Sequence, residues 1–204
     1  MYLYRKLTPE QRAQLVAERI AKGHPPHSPP HIAQDETLYL LTAACYEHQP
    51  HMVASERRQK VLAGLFEGFI NAGSELIAWV VVPNHYHLLL KVNQFKDVGQ
   101  VIRKVHGSTS RFWNLADKAP GRKIWYRYSD RFIRSERHFF TTINYLHFNP
   151  VKHGWAKTPY DWTESSVHWY LEHRGRDWLR DVWKEYPVKN FGKEWDIDDA
   201  KPKR

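Results

Sequence analysis

The chain has 204 residues, 42% hydrophobic and 26% charged, which suits one globular domain with appendages and excludes a disordered segment. A single cysteine, Cys45, excludes a disulfide framework and a cysteine-based zinc site, and no apolar run approaches the ~20 residues of a membrane span. Lys and Arg number 31 against 22 acids, a net charge of +9, and aromatics reach 14%; this points to a polyanionic partner and to stacking platforms for unpaired bases.

In chain order, residues 9–22 (PEQRAQLVAERIAK) predict a helix, with Pro9 near its start, Leu15, Arg19 and Ile20 at helical spacing and Gly23 at its end. The run HPPHSPPH (24–31) excludes helix and central strand and reads as a linker or extended arm, its prolines spreading the imidazoles apart. No secretory hydrophobic region stands at the N-terminus, so the expected location is the cytoplasm. The main domain opens with a strand over Thr37–Tyr46. A helix follows over Ser55–Ala72, with Ser55 as N-cap and Val61, Leu65, Phe66 and Phe69 facing the core. Strands over Leu76–Val82 and Tyr86–Val92 join through Pro83-Asn84. A second helix spans Val98–Ala116, a strand Ile124–Ile133, and a third helix Phe139–Phe148, stopped by Pro150.

The order β-α-β-β-α-β predicts an α+β fold of the split βαβ, ferredoxin-like kind: an antiparallel sheet with helices on one face. The expected division is 1–34 as N-terminal helix and proline-rich arm, 35–170 as the main domain, and 171–204 as a short docking helix with a polar tail, anchored by Trp178 and Trp183.

The charge is local. Residues 101–140 hold ten basic and three acidic groups, and so seven of the nine net charges. The basic ones are Arg103, Lys104, Arg111, Lys118, Arg122, Lys123, Arg127, Arg131, Arg134 and Arg137, interleaved with Phe112, Trp113, Trp125, Tyr126, Tyr128 and Phe132. A charge serving only solubility would be spread out; this one favours a nucleic acid.

Two constellations can carry chemistry. In WVVVPNHYHLLLKV, His85 and His87 share one face of a strand, about 7 Å apart at the backbone, and can converge on one divalent ion. Alone, an H-x-H pair reads as readily as the solvated face of a strand. In TINYLHFNPVKHG, Tyr145 and Asn149 stand one helical turn apart, a phenol able to attack phosphorus and a carboxamide oxygen suited to a hard cation. Core packing and helix capping explain them equally well in isolation. His106, Ser108–Ser110, Thr141 and Thr142 are weaker candidates for phosphate contacts. His147 and His153 flank the tyrosine, and position 147 is rotated ~200° from 145, so neither is given a role. No P-loop, dinucleotide or G-x-S-x-G motif is present.

PNHYHLLL, followed by IWYRYSDRFIRSERHFFTTINYLHFNPVKHG, resembles the single-tyrosine HUH transposases, and among them the REP-associated tyrosine transposases of bacteria. The resemblance covers roughly residues 36–170. It implies a ferredoxin-like domain that cuts single-stranded DNA beside imperfect hairpins with Mg²⁺ or Mn²⁺. Carried onto this sequence, His85, His87 and Asn149 become metal ligands and Tyr145 the nucleophile, forming a 5′-phosphotyrosine and a free 3′-hydroxyl without consuming water. Arg103, Lys104, Arg111, Lys123, Arg127, Arg131, Arg134 and Lys152 are then expected to hold the DNA backbone, with Trp125 or Tyr126 stacking on an extruded base. The expected setting is the cytoplasm, beside the nucleoid, as a monomer or homodimer. The competing expectation is a catalytically silent hairpin DNA- or RNA-binding protein of the same fold.

Overall fold

Short, nearly continuous apolar runs lay down one sheet. Strands β1 (Thr37–Ala44), β2 (Glu75–Val82), β3 (His85–Val92) and β4 (Ser129–Phe132) pair antiparallel in the order β2-β3-β1-β4. In this computed structural model residues 7–21, 35–189 and 191 are described, in two units, Met1–Ile32 and Ala33–Arg204. In the first unit helix α1 (Pro9–Ala21) opens on a reciprocal cap: Thr8 Oγ1 accepts from Gln11 N, and Gln11 Oε1 accepts from Thr8 N. The proline-rich arm and the tail beyond residue 191 lie outside the described residues.

The second unit has the split βαβ topology. Helices α2 (Ser55–Asn71) and α3 (Phe95–Ala116) make the two crossovers, and one face of α2 buries Val61, Leu65 and Phe69. They pack closely: a Cβ on Gly68 would stand 2.6 Å from Val101 Cγ1, so only glycine admits this approach. The N-cap of α2 is Ala54, without a side-chain bond, and Ser55 is the first helical residue.

The last strand is shorter than predicted. Of Ile124–Ile133, only Ser129–Phe132 joins the ladder, with an isolated Cys45–Trp125 bridge upstream, because Trp125 turns inward to stack on a histidine. Helix α4 (Glu136–Lys152) is longer than predicted, capped by Ser135, whose side chain accepts from His138 N. Pro150 does not stop it. It falls in the last turn, where a proline forfeits one ladder bond, and its buried carbonyl accepts from Trp155 N at 2.8 Å. Asn149 thereby stays helical, one turn beyond Tyr145.

The expectation of helices on one face needs correction. Even positions of β3 (Tyr86, Leu88, Leu90, Val92) enter a core with α2 and α3, while Leu40, Val80 and Leu89 enter a second core with α4, α5 (Val167–Arg174) and α6 (Arg176–Glu185). A strand apolar on both sides needs cover on both. The 171–204 stretch thus contributes one helix and half of another to this second layer, with Tyr170 and Trp178 stacked at 5.5 Å. Residues 164–166 also close the outer edge of β2: Val81 N donates to Glu164 O, Ser166 N to Trp79 O, and Val80 bridges Ser165. Among the described residues no helix is long and apolar enough to cross a membrane.

Candidate active site

The odd positions of β3 aim two imidazoles at α4. His85 and His87 are buried with ring centroids 4.9 Å apart, and each Nδ1 is engaged from a neighbouring backbone position. Asn84 Oδ1, in the tight β2–β3 turn, lies 2.8 Å from His85 Nδ1. The β1–β3 register sets Thr42 opposite His87, and Thr42 Oγ1 lies 2.7 Å from His87 Nδ1. Hydrogen bonding at Nδ1 fixes ring orientation and presents Nε2, the arrangement usual around histidines that bind metals.

From the other side, α4 brings Tyr145 down onto the sheet between Ile143 and Leu146, which pack in the second core. The Tyr145 hydroxyl meets His87 Nε2 at 3.2 Å, joining residues 58 apart in sequence. One turn on, Asn149 is 1% exposed, and both its Oδ1 and Nδ2 are buried without a hydrogen-bond partner among the described residues. Leaving such a group unsatisfied costs about 1–3 kcal/mol, so a fold that keeps it has a use for it. A carboxamide oxygen one helical turn from a tyrosine that meets His87 is, together with two imidazole nitrogens, a donor set whose chemistry fits a divalent cation. No cluster of three or more His, Cys, Asp or Glu able to hold a metal occurs among the described residues.

Two more groups converge here. Lys152 places its ammonium 5.3 Å from the centre of the Tyr145 ring. His153, given no role from sequence, packs its ring 5.0 Å from that of His85. The signal that finds it is positional: residues 145, 149 and 153 repeat every four along one helix face.

The basic block divides. Lys123 lies over Tyr46, which stacks on half-buried Tyr126, and Arg127 is exposed beside them. Arg131 and Arg134 are exposed at the end of the sheet and before the start of α4; burial first, and these two cations after it, depress the basicity of His138. Arg103, Lys104 and Arg111 are exposed on α3, on the opposite side of the sheet. Arg122 is tied to Asp117 at 2.6 Å, and Arg57 grips the same carboxylate, holding it well below the usual carboxylate range.

Trp125 is no platform for a base. It is 7% exposed, stacks on His106 at 4.2 Å, and donates Nε1–H to Thr109 Oγ1. The phosphate role considered for His106 fails likewise: burial lowers its pKa to about 3, and its Nε2 meets the Tyr86 hydroxyl at 2.9 Å. Ser108, Thr109 and Thr142 bond carbonyls of their own helices. His147 sits in the second core against Ser166 and Trp183, its pKa lowered to about 3 by burial.

Over 117 residues the chain is 33% identical to the REP-associated tyrosine transposase of Escherichia coli K12, covering 53% of this chain and 64% of that protein. This chain is similar in sequence to a REP-associated tyrosine transposase. A Haemophilus influenzae protein assigned to the same family is 28% identical over 104 residues, covering 46% of this chain and 59% of that one. The match therefore spans less than two thirds of the length of either REP-associated transposase relative. A solved REP-associated tyrosine transposase, bound to a REP hairpin, has the same fold: TM-score 0.60 at 20% identity, over 73% of this chain and 87% of that one. No protein-family model matches the chain.

Proposed function

We propose that this protein is a transposase-type enzyme that nicks and rejoins single-stranded DNA beside a hairpin. Tyr145 is the nucleophile, and His85, His87 and Asn149 hold Mg²⁺ or Mn²⁺. The observation that carries this reading is the Tyr145 hydroxyl against His87 Nε2 at 3.2 Å, with the unsatisfied carboxamide of Asn149 one turn away. The hairpin partner is extended from the relatives, one of which was solved with a REP hairpin.

A divalent ion bound by these three residues supplies Lewis-acid stabilisation of the scissile phosphate. Tyr145 is held on a helix whose neighbours are packed, so its oxygen is pre-positioned for in-line attack. The new bond joins its phenolic oxygen to phosphorus and the P–O3′ bond breaks. The 5′-phosphate stays on the tyrosine, and the 3′-oxygen leaves with a proton equivalent to the one the phenol gave up. Reversal with a different 3′-hydroxyl rejoins the strand. Lys152, beside the tyrosine ring, opposes the charge that develops on the phosphate oxygens. Arg103, Lys104, Arg111, Lys123, Arg127, Arg131 and Arg134 supply backbone contacts, and Tyr126, stacked on Tyr46, takes the stacking role in place of Trp125.

The test is a labelled single strand carrying a hairpin, incubated with the protein and Mn²⁺ and run on a denaturing gel. A protein–DNA adduct forms with the native chain and is absent with Tyr145→Phe. Hairpin binding without an adduct would leave the silent binding protein as the correct reading, and an adduct surviving Tyr145→Phe would remove the nucleophile.

A further inference from the structure

Beside Tyr145 lies a cavity of about 440 Å³, within the ~300–1,000 Å³ range of small-ligand pockets. Its walls come from two layers: Asn144, Tyr145, Phe148 and Lys152 on α4, and Trp183 and Phe191 from the C-terminal segment. Three aromatic rings besides the tyrosine line one space, and Phe191 also packs edge-on against Tyr145 at 5.5 Å. One polar residue of the wall is held in place by the end of the C-terminal helix. Asn144 donates its Nδ2 hydrogens to Val182 O at 2.9 Å and Tyr186 O at 2.8 Å, which fixes the amide, while its Oδ1 is buried without a hydrogen-bond partner among the described residues.

We infer that this cavity receives one unpaired nucleobase, that of a nucleotide directly flanking the scissile phosphate. The inference rests on the reading of Tyr145 as nucleophile. The flat aromatic lining suits a π-face, and Lys152, which lines the cavity beside the Tyr145 ring, supplies a cation for the attached phosphate. Sharing Tyr145 as a wall ties the base to the nucleotide at the point of attack rather than to the distant hairpin. Seating the base there orients the phosphodiester against the phenolic oxygen, so the pocket acts on the rate of attack more than on hairpin affinity.

The experiment measures single-turnover adduct formation on the strand mapped in the nicking assay. Two further strands carry an abasic site on the 5′ or the 3′ side of the scissile phosphate, and hairpin affinity is measured in parallel. One of the two abasic strands reacts ~5–150-fold more slowly than the intact strand, with hairpin affinity within about threefold. Phe148→Leu, and independently Phe191→Leu, slow the intact strand and shrink the abasic penalty; circular dichroism confirms that each variant is folded. Equal rates on all three strands, or a penalty unchanged in both folded variants, would overturn the pocket while leaving Tyr145 its role. An absence of adduct from every strand would instead overturn the nucleophile reading, and the pocket with it.

Discussion

The two faces of the sheet draw on the same strand and end in opposite states. On the α2–α3 face, Tyr86 from β3 finds His106, and Trp125 finds Thr109, so these buried polar atoms are paired; Trp113 Nε1, and Glu164 Oε1 beside Arg58 of α2, are exceptions among the described residues. On the α4–α6 face, the neighbouring positions of β3 present two imidazoles, and α4 answers with carboxamides at 144 and 149 that keep unsatisfied atoms. A buried histidine with no further function is solved as His106 is, by stacking and one hydrogen bond. Buried polar groups left uncompensated mark the face where a ligand completes them.

Breaking this contrast at its strongest point, Asn149→Leu is expected to abolish metal-dependent nicking while raising stability by about 1–3 kcal/mol, because an unsatisfied amide gives way to a hydrocarbon of similar size. Adduct gels and urea unfolding read the two effects; a fall in stability would mean that Asn149 is satisfied in solution. Next in size, Thr42→Val removes the partner of His87 Nδ1 and should weaken Mn²⁺ affinity ~10–100-fold with the fold intact. Titration calorimetry measures this, and an unchanged affinity would show that Thr42 has no part in orienting the ring. On the opposite face Tyr86→Phe leaves His106 Nε2 without its partner and should cost about 1–2 kcal/mol in urea unfolding with nicking unchanged.

The smallest effect is in pH. Burial holds His106 neutral, with a folded pKa near 3 against an ordinary 6.5, so the unfolded chain binds more protons between those values. Its contribution to stability is full above about pH 6.5 and is lost as pH falls toward 3. Urea unfolding at pH 7 and pH 5 should show a gap that narrows in His106→Phe; an equal gap in both proteins would assign it to other groups.

Much of this was legible in the sequence. The short apolar runs located β1 to β3 within two residues, and the element order fixed the split βαβ topology, because run length and crossover length are local properties. Tyr145 and Asn149 were legible as a helical pair, and the structure keeps them so. The end of α4 was misread because a proline's penalty is small in a last turn that tertiary contacts hold. Trp125 was misread because sequence gives aromatic content but not which side of the sheet a ring faces. His153 was missed because its neighbour, His85, is a tertiary one.

The Thr42–His87 pairing has a consequence for how activity is lost. The hydrogen-bond ladder that fixes β1 against β3 is also the ruler that aims the imidazoles, so folding error and chemical error are the same error. A one-residue slip of β3 against β1 would turn every odd side chain of β3 toward α2 and α3. The hydrophobic faces would be swapped along with the histidines, so a slipped sheet is both inert and poorly buried, and the chain polices its own geometry through its core.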